Sequence, residues 1–172
     1  ERRLYLVRKD GLAKKYGIGV GREGFAWTGG QKITRKAEWP SWTPPAEMKL
    51  REAAKGRVLP DSMEGGRDNP MGARALYLGA TAYRIHGTNE PWTIGNAVSS
   101  GCIRMANEDI IELYSLAKVG ATVIVECTQQ TWDAWGFESM SKEETIATCE
   151  RVFARHLGGH VLMSNANHLR GS

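Results

Sequence analysis

The chain has 172 residues, of which 24% are charged and 41% come from the set AVILMFWYC, and it carries a formal net charge of +4. That length suits one ordinary hydrophobic core, and the balance of charged and apolar residues excludes a disordered or fibrous chain. No apolar run approaches the ~20 residues that span a bilayer, and the lysines and arginines are scattered rather than gathered into a patch for nucleic acid.

In chain order, "RRLYLVRKDGLAKKYGIGVG" reads as two short apolar-rich runs around Lys9-Asp10-Gly11, a hairpin signal that makes the N-terminal part β. From "REGFAWTGG" to "NPMGAR" the sequence is crowded with Gly, Pro and Trp, which predicts mostly loop. A loop this long in a small domain is commonly a binding loop or lid. Trp39 and Trp42 lie within it, either packed on the sheet or facing a substrate. "ARALYL" and "TAYRIHG" then read as two strands joined at Gly79-Ala80, the second carrying His86 to its end. "ANEDIIELYSLAKVG" predicts a helix with Ile110, Ile111, Leu113, Tyr114 and Ala117 on one face, Asn107 capping its first turn and Gly120 ending it. "ATVIVE" closes the core as a short buried strand.

Residues 127–172 differ in character. Ser141 and Glu144 have capping-box spacing, and Ile146, Cys149, Val152, Phe153 and Leu157 form an apolar stripe, so a second helix is expected over about 141–157, docked on the domain through Trp132, Trp135 and Phe137. His156 and His160 are four apart, but Gly158-Gly159 breaks the helix that would make them a metal pair. The cysteines, Cys102, Cys127 and Cys149, contain no C-x-x-C pair; if Cys102 is a working thiol, the other two are either buried and free or paired in an oxidising compartment.

The chemistry concentrates in "RIHGTNEPWTIGNAVSSGCIRMANED". A thiol transfers acyl groups as thiolate, so it needs a base. His86 at a strand end and Cys102 in a glycine-flanked turn supply that pair, with an imidazolium beside the sulfur expected to favour the charged thiolate. Gly101 allows close approach of the backbone, and the N–H groups of Ser100, Gly101 and Cys102 are candidate donors for a tetrahedral oxyanion.

Histidine ahead of cysteine, as "HGT" and then "SSGCIRM" followed by an asparagine and a helix, resembles the L,D-transpeptidases of the YkuD family, and "GVGREG", "NPMGARALYL" and "GATVIV" extend the resemblance over residues 1–126. The resemblance implies a mainly β, sandwich-like catalytic domain (α+β overall) with one helix behind the active-site turn, followed at 127–172 by a helical extension that the family does not match. It implies Cys102 as nucleophile, His86 as base, Gly87 as the neighbour orienting the imidazole, and Ser99 and Arg104 beside the nucleophile for substrate. Arg104 is equally suited to a structural carboxylate pair. Many members carry histidine where this chain has Ser100, and the family's first strand has no counterpart after Glu1. The implied reaction uses no metal or other cofactor and acts on peptidoglycan stem peptides, with a second stem or an anchored protein as acceptor. A hydrolase on the same scaffold and a wall-binding module with a dead site are the alternatives. The implied location is the periplasm or cell wall, an exported precursor having lost its signal peptide ahead of Glu1.

Overall fold

The computed structural model describes residues 2–7, 13–22, 29–126 and 160–164. Leu4 and Leu6 alternate inward along β1 (Arg3–Val7), which pairs antiparallel with β2 (Ala13–Gly17), as the Asp-Gly signal predicts. The turn itself lies outside the described residues. Short β3 (Val20–Gly21) pairs in parallel with β7 (Ala97–Ser99).

The stretch expected to be mostly loop contains two elements. Strand β4 (Gly29–Glu38) pairs through Gly29 to Lys32 with β9 (Thr122–Glu126) and through Ile33 to Glu38 with β5 (Arg74–Leu78), the register shifting between Ile33 and Arg35. One strand thus serves two sets of neighbours, and the irregularity lets the sheet curl at that point. Its sequence, GGQKITRKAE, fully buries only Ile33, so no apolar alternation announces it; hydrogen bonding on both sides makes it a strand. Helix α1 (Ala46–Ala53) consists of good helix formers but buries no residue, and Pro44-Pro45 ahead of it reads as loop.

Strands β5, β6 (Arg84–His86) and β8 (Ile103–Arg104) complete the eight-stranded order β2-β1-β10-β9-β4-β5-β6-β8. Strand β10 (His160–Ser164) is a further correction. It comes from the segment read only as a helical extension, and it inserts between β1, antiparallel, and β9, parallel. The helix expected over 141–157 and the anchors Trp132, Trp135 and Phe137 lie outside the described residues.

The core gathers Leu4, Ile33, Leu76, Ile85 and Val123 with Ile110 and Leu113 of α2 (Asn107–Leu116). Ile111 is exposed, not on the buried face as expected. Lys36 of β4 donates to the carbonyls of Tyr114 and Ala117 at the C-terminal end of α2, placing a cation where the helix dipole favours one. The helix stops at Leu116, and Gly120, with φ +90°, follows in the turn to β9.

Candidate active site

Register sets the two candidate residues on neighbouring segments. Strand β6 pairs in parallel with β8, Ile85 opposite Ile103 and His86 opposite Arg104. Both isoleucines are buried in the core, so by alternation His86 and Arg104 take the opposite face. Cys102, two residues before Arg104, falls on that face one diagonal step from His86. The position of β8 is fixed from both sides: Met105 N–H donates to His86 O at 2.9 Å, and Arg104 exchanges two backbone hydrogen bonds with Gly19, each 2.8 Å.

His86 is buried, and its Nδ1 lies 2.6 Å from the Gly87 carbonyl oxygen. That contact assigns the ring proton to Nδ1 and leaves Nε2 as the acceptor. Burial first, and then the positive charges of Arg104 and Arg84, push the imidazole pKa down to about 4, against the pull of the Gly87 and Met71 carbonyls. Burial thus favours the neutral ring, the form that can accept a proton.

Asn107 holds the segment behind the histidine. It was expected to cap α2, but it is the first helical residue and caps nothing. Its Oδ1 accepts from Ala73 N–H at 2.9 Å and its Nδ2 donates to Thr88 O at 3.0 Å, tying the start of β5 to the end of β6. Two glycines make room for it: a Cβ at Gly87 would lie 2.2 Å from Asn107 Oδ1, and one at Gly72, where φ is +63°, 2.4 Å from the same atom.

The nucleophile turn is locked by Ser99. Its buried hydroxyl donates to Cys102 O and accepts from Gly101 N–H at 3.3 Å, while Gly101 takes φ +101°. The Ser99 hydroxyl, expected to meet substrate, is thus engaged within the turn, as is the Gly101 N–H expected at the oxyanion. The Cys102 thiol is partly exposed and donates to the Ala82 carbonyl at 3.7 Å. Ser100 accepts from Arg51 of α1 at 3.3 Å.

Arg104 donates to Glu90 Oε2 at 2.9 Å, in the geometry of a carboxylate pair. Trp39 and Trp42 are anchored by backbone bonds, Trp39 N–H to Ala73 O and Trp42 in reciprocal bonds with Met63, each 2.8 Å. The Trp39 side chain is exposed and its φ is +41°. Among the described residues no cluster of His, Cys, Asp and Glu could hold a metal. Sequence reasoning missed Glu90, Arg51 and the clamping role of Asn107. Only Asn107 left a signal, as an asparagine at a helix start whose side chain has two possible uses.

The model of the L,D-transpeptidase catalytic domain, YkuD, matches residues 1–125. The probable L,D-transpeptidase YbiS of Escherichia coli strain K12 is 40% identical over 142 residues, 79% of this chain and 45% of that protein, and the probable L,D-transpeptidase ErfK/SrfK of the same strain is 40% identical over 128 residues, 72% and 40%. The chain spans less than half the length of these curated relatives. Among solved structures, an L,D-transpeptidase from Mycobacterium smegmatis superposes with a TM-score of 0.51 at 20% identity, covering 72% of this chain and 54% of that one, a likeness of fold. With the family model matching well over half of the chain and curated relatives 40% identical, this chain belongs to the YkuD family of L,D-transpeptidase catalytic domains.

Proposed function

We propose that the chain is a cysteine-dependent L,D-transpeptidase acting on peptidoglycan stem peptides. What supports the reading is the parallel register of β6 with β8, which puts Cys102 at the start of the strand next to His86, together with a His86 ring proton fixed on Nδ1 by Gly87. His86 Nε2 takes the thiol proton as Sγ attacks the carbonyl joining the L-centred third residue to the terminal D-alanine. The C–N bond then breaks, the imidazolium returns its proton to the departing amine, and a thioester remains on Cys102. In the second half an amine attacks the thioester, gives its proton to His86, and leaves the new amide as the thiol is restored. With Gly101 N–H turned to Ser99, the oxyanion donor assigned here is the N–H of Cys102 itself. Gly87 supplies the carbonyl that orients the imidazole, Arg104 keeps positive charge on that face, and exposed Trp39 is available to a bound stem.

The acceptor is a second stem or an anchored protein, and the site of action is the periplasm or cell wall. Among the described residues no helix is long and apolar enough to cross a membrane. Residues 127–172 we take as an extension of the catalytic domain that contributes β10. Incubating the protein with purified sacculi and separating the muropeptides tests the reading: new cross-links between third residues support transfer to an amine, whereas tripeptide stems alone identify a hydrolase in which water resolves the thioester. Absence of both products, with Cys102 resisting acylation by a carbapenem, would identify an inactive wall-binding module.

A further inference from the structure

Strands β4, β5 and β6 carry an arrangement that core packing does not require. Tyr77 of β5 is in register with Arg35 of β4 and with Arg84 of β6, and both guanidiniums lie over its ring, Arg35 at 3.6 Å from the centre and Arg84 at 5.3 Å. Two cations thus flank one ring, and among the described residues no carboxylate pairs with either. Arg35 is stacked closely; Arg84 is not. Among the described residues Arg84 donates only from Nη1, to the Ala82 carbonyl at 3.1 Å, which leaves most of the guanidinium donors without a protein partner.

The same carbonyl accepts from the Cys102 thiol at 3.7 Å. Arg84 Nη1 and Cys102 Sγ can therefore be no farther apart than these two contacts laid end to end. Ala82 is exposed and Arg84 half-buried, so both stand where a ligand can arrive. Of the two cations whose charge reaches His86, Arg104 is matched by the Glu90 carboxylate and Arg84 by none among the described residues.

A guanidinium held by one neutral carbonyl would gain from a carboxylate, whose charge-assisted bonds are roughly twice as strong and match the planar fork. The peptide bond assigned to Cys102 brings such a group. The carboxylate of the terminal D-alanine is three covalent bonds, about 3–5 Å, from the carbonyl carbon that the sulfur attacks, and a charge-assisted hydrogen bond adds about 2.8 Å. That reach fits the separation that the shared Ala82 carbonyl allows between sulfur and guanidinium.

We propose that Arg84 is a specificity-determining residue that binds the terminal carboxylate of the donor stem beside Cys102. This rests on the transpeptidase reading above and deepens it: Arg84 selects stems that end at the fourth residue, whose carboxylate is free at the right distance from the attacked carbonyl.

Two measurements test it. The first compares a tetrapeptide donor with a free C-terminus against the same peptide as its C-terminal amide, by D-alanine or D-alaninamide release. The expected result is that the parent prefers the free acid in kcat/KM, that Arg84→Gln reduces this preference by about ten- to a hundredfold, and that Arg84→Lys restores part of it. A preference kept in Arg84→Gln would overturn the assignment. The second needs no turnover: alkylation of Cys102 is followed with iodoacetate and with iodoacetamide, and the ratio of the two rates is compared between parent and Arg84→Gln. Both reagents meet the same thiolate, so the ratio cancels any change in the ionisation of the sulfur and reports the anion site alone. It should fall several-fold in the variant, and an equal ratio would overturn the proposal. A protein that releases nothing from either peptide yet has an Arg84-dependent alkylation ratio would overturn the transpeptidase reading and support the anion site.

Discussion

Ile85 and Leu76 behind His86 are wholly buried, whereas no residue of α1 is, and Leu50 in its middle is 74% exposed. The frame of β5, β6, β8 and α2 holds the reacting groups by removing apolar surface from water and by backbone pairing. Helix α1 is held instead by polar contacts, Arg51 to Ser100 of the nucleophile turn and Lys49 to Asp61 at 2.7 Å. The difference teaches where rigidity is needed. Groups proposed to exchange protons need a fixed geometry, which a packed sheet supplies; a helix held at the surface by polar contacts can yield.

Substitutions should separate the two regions by the size of their effects. Leu76→Ala, which opens a cavity beneath His86, should cost about 3–5 kcal/mol of stability in urea unfolding. A loss near zero would mean that the frame is not the packed element described. Acid offers the next largest effect. The folded pKa of His86, about 4, lies below its ordinary 6.5, so between these values the unfolded chain binds the extra proton and the folded chain does not. The stability from keeping His86 neutral is therefore fully present above pH 6.5 and is lost as pH falls toward 4, by of the order of 3 kcal/mol. The urea midpoint should fall more steeply over that window in the parent than in His86→Gln, and equal slopes would mean that His86 is not held neutral by burial.

Asn107→Ala should cost about 2 kcal/mol, because it leaves Ala73 N–H and Thr88 C=O without their partner. It should also slow Cys102 alkylation as the segment carrying His86 loosens. A stability loss with unchanged alkylation would reduce Asn107 to a structural clamp. Leu50→Ala on α1 should stay within about 0.5 kcal/mol of the parent, and a larger loss would show that α1 is packed more firmly than its exposure implies.

Much of the frame was legible because its signals are local. Apolar residues in "ARALYL" and "ATVIVE", the glycine turn at Gly79-Ala80 and the acidic first turn of α2 each point to their element without knowledge of partners. The family, and with it His86 and Cys102 as candidates, was legible through the pattern "HGT" and "SSGCIRM". What stayed hidden depends on tertiary context. The outward charged residues of β4 mask a strand with neighbours on both sides, and α1 has no apolar stripe to detect. Strand β10 follows the Gly158-Gly159 break and is a strand through pairing with β1 and β9. The downward push on the His86 pKa was hidden for the same reason: burial causes it, and burial is a property of the assembled sheet.

The central claim, that Cys102 is acylated with His86 as its base, is tested most directly by mixing the protein with a tetrapeptide donor in the absence of an acceptor. Intact-protein mass and D-alanine release are then followed together. The expected result is a burst of D-alanine matching the amount of protein, with the tripeptide acyl group appearing on Cys102, a burst slowed in His86→Gln and absent in Cys102→Ala. D-alanine release by Cys102→Ala at the parent rate, or release by the parent with no acyl group ever found on Cys102, would contradict it.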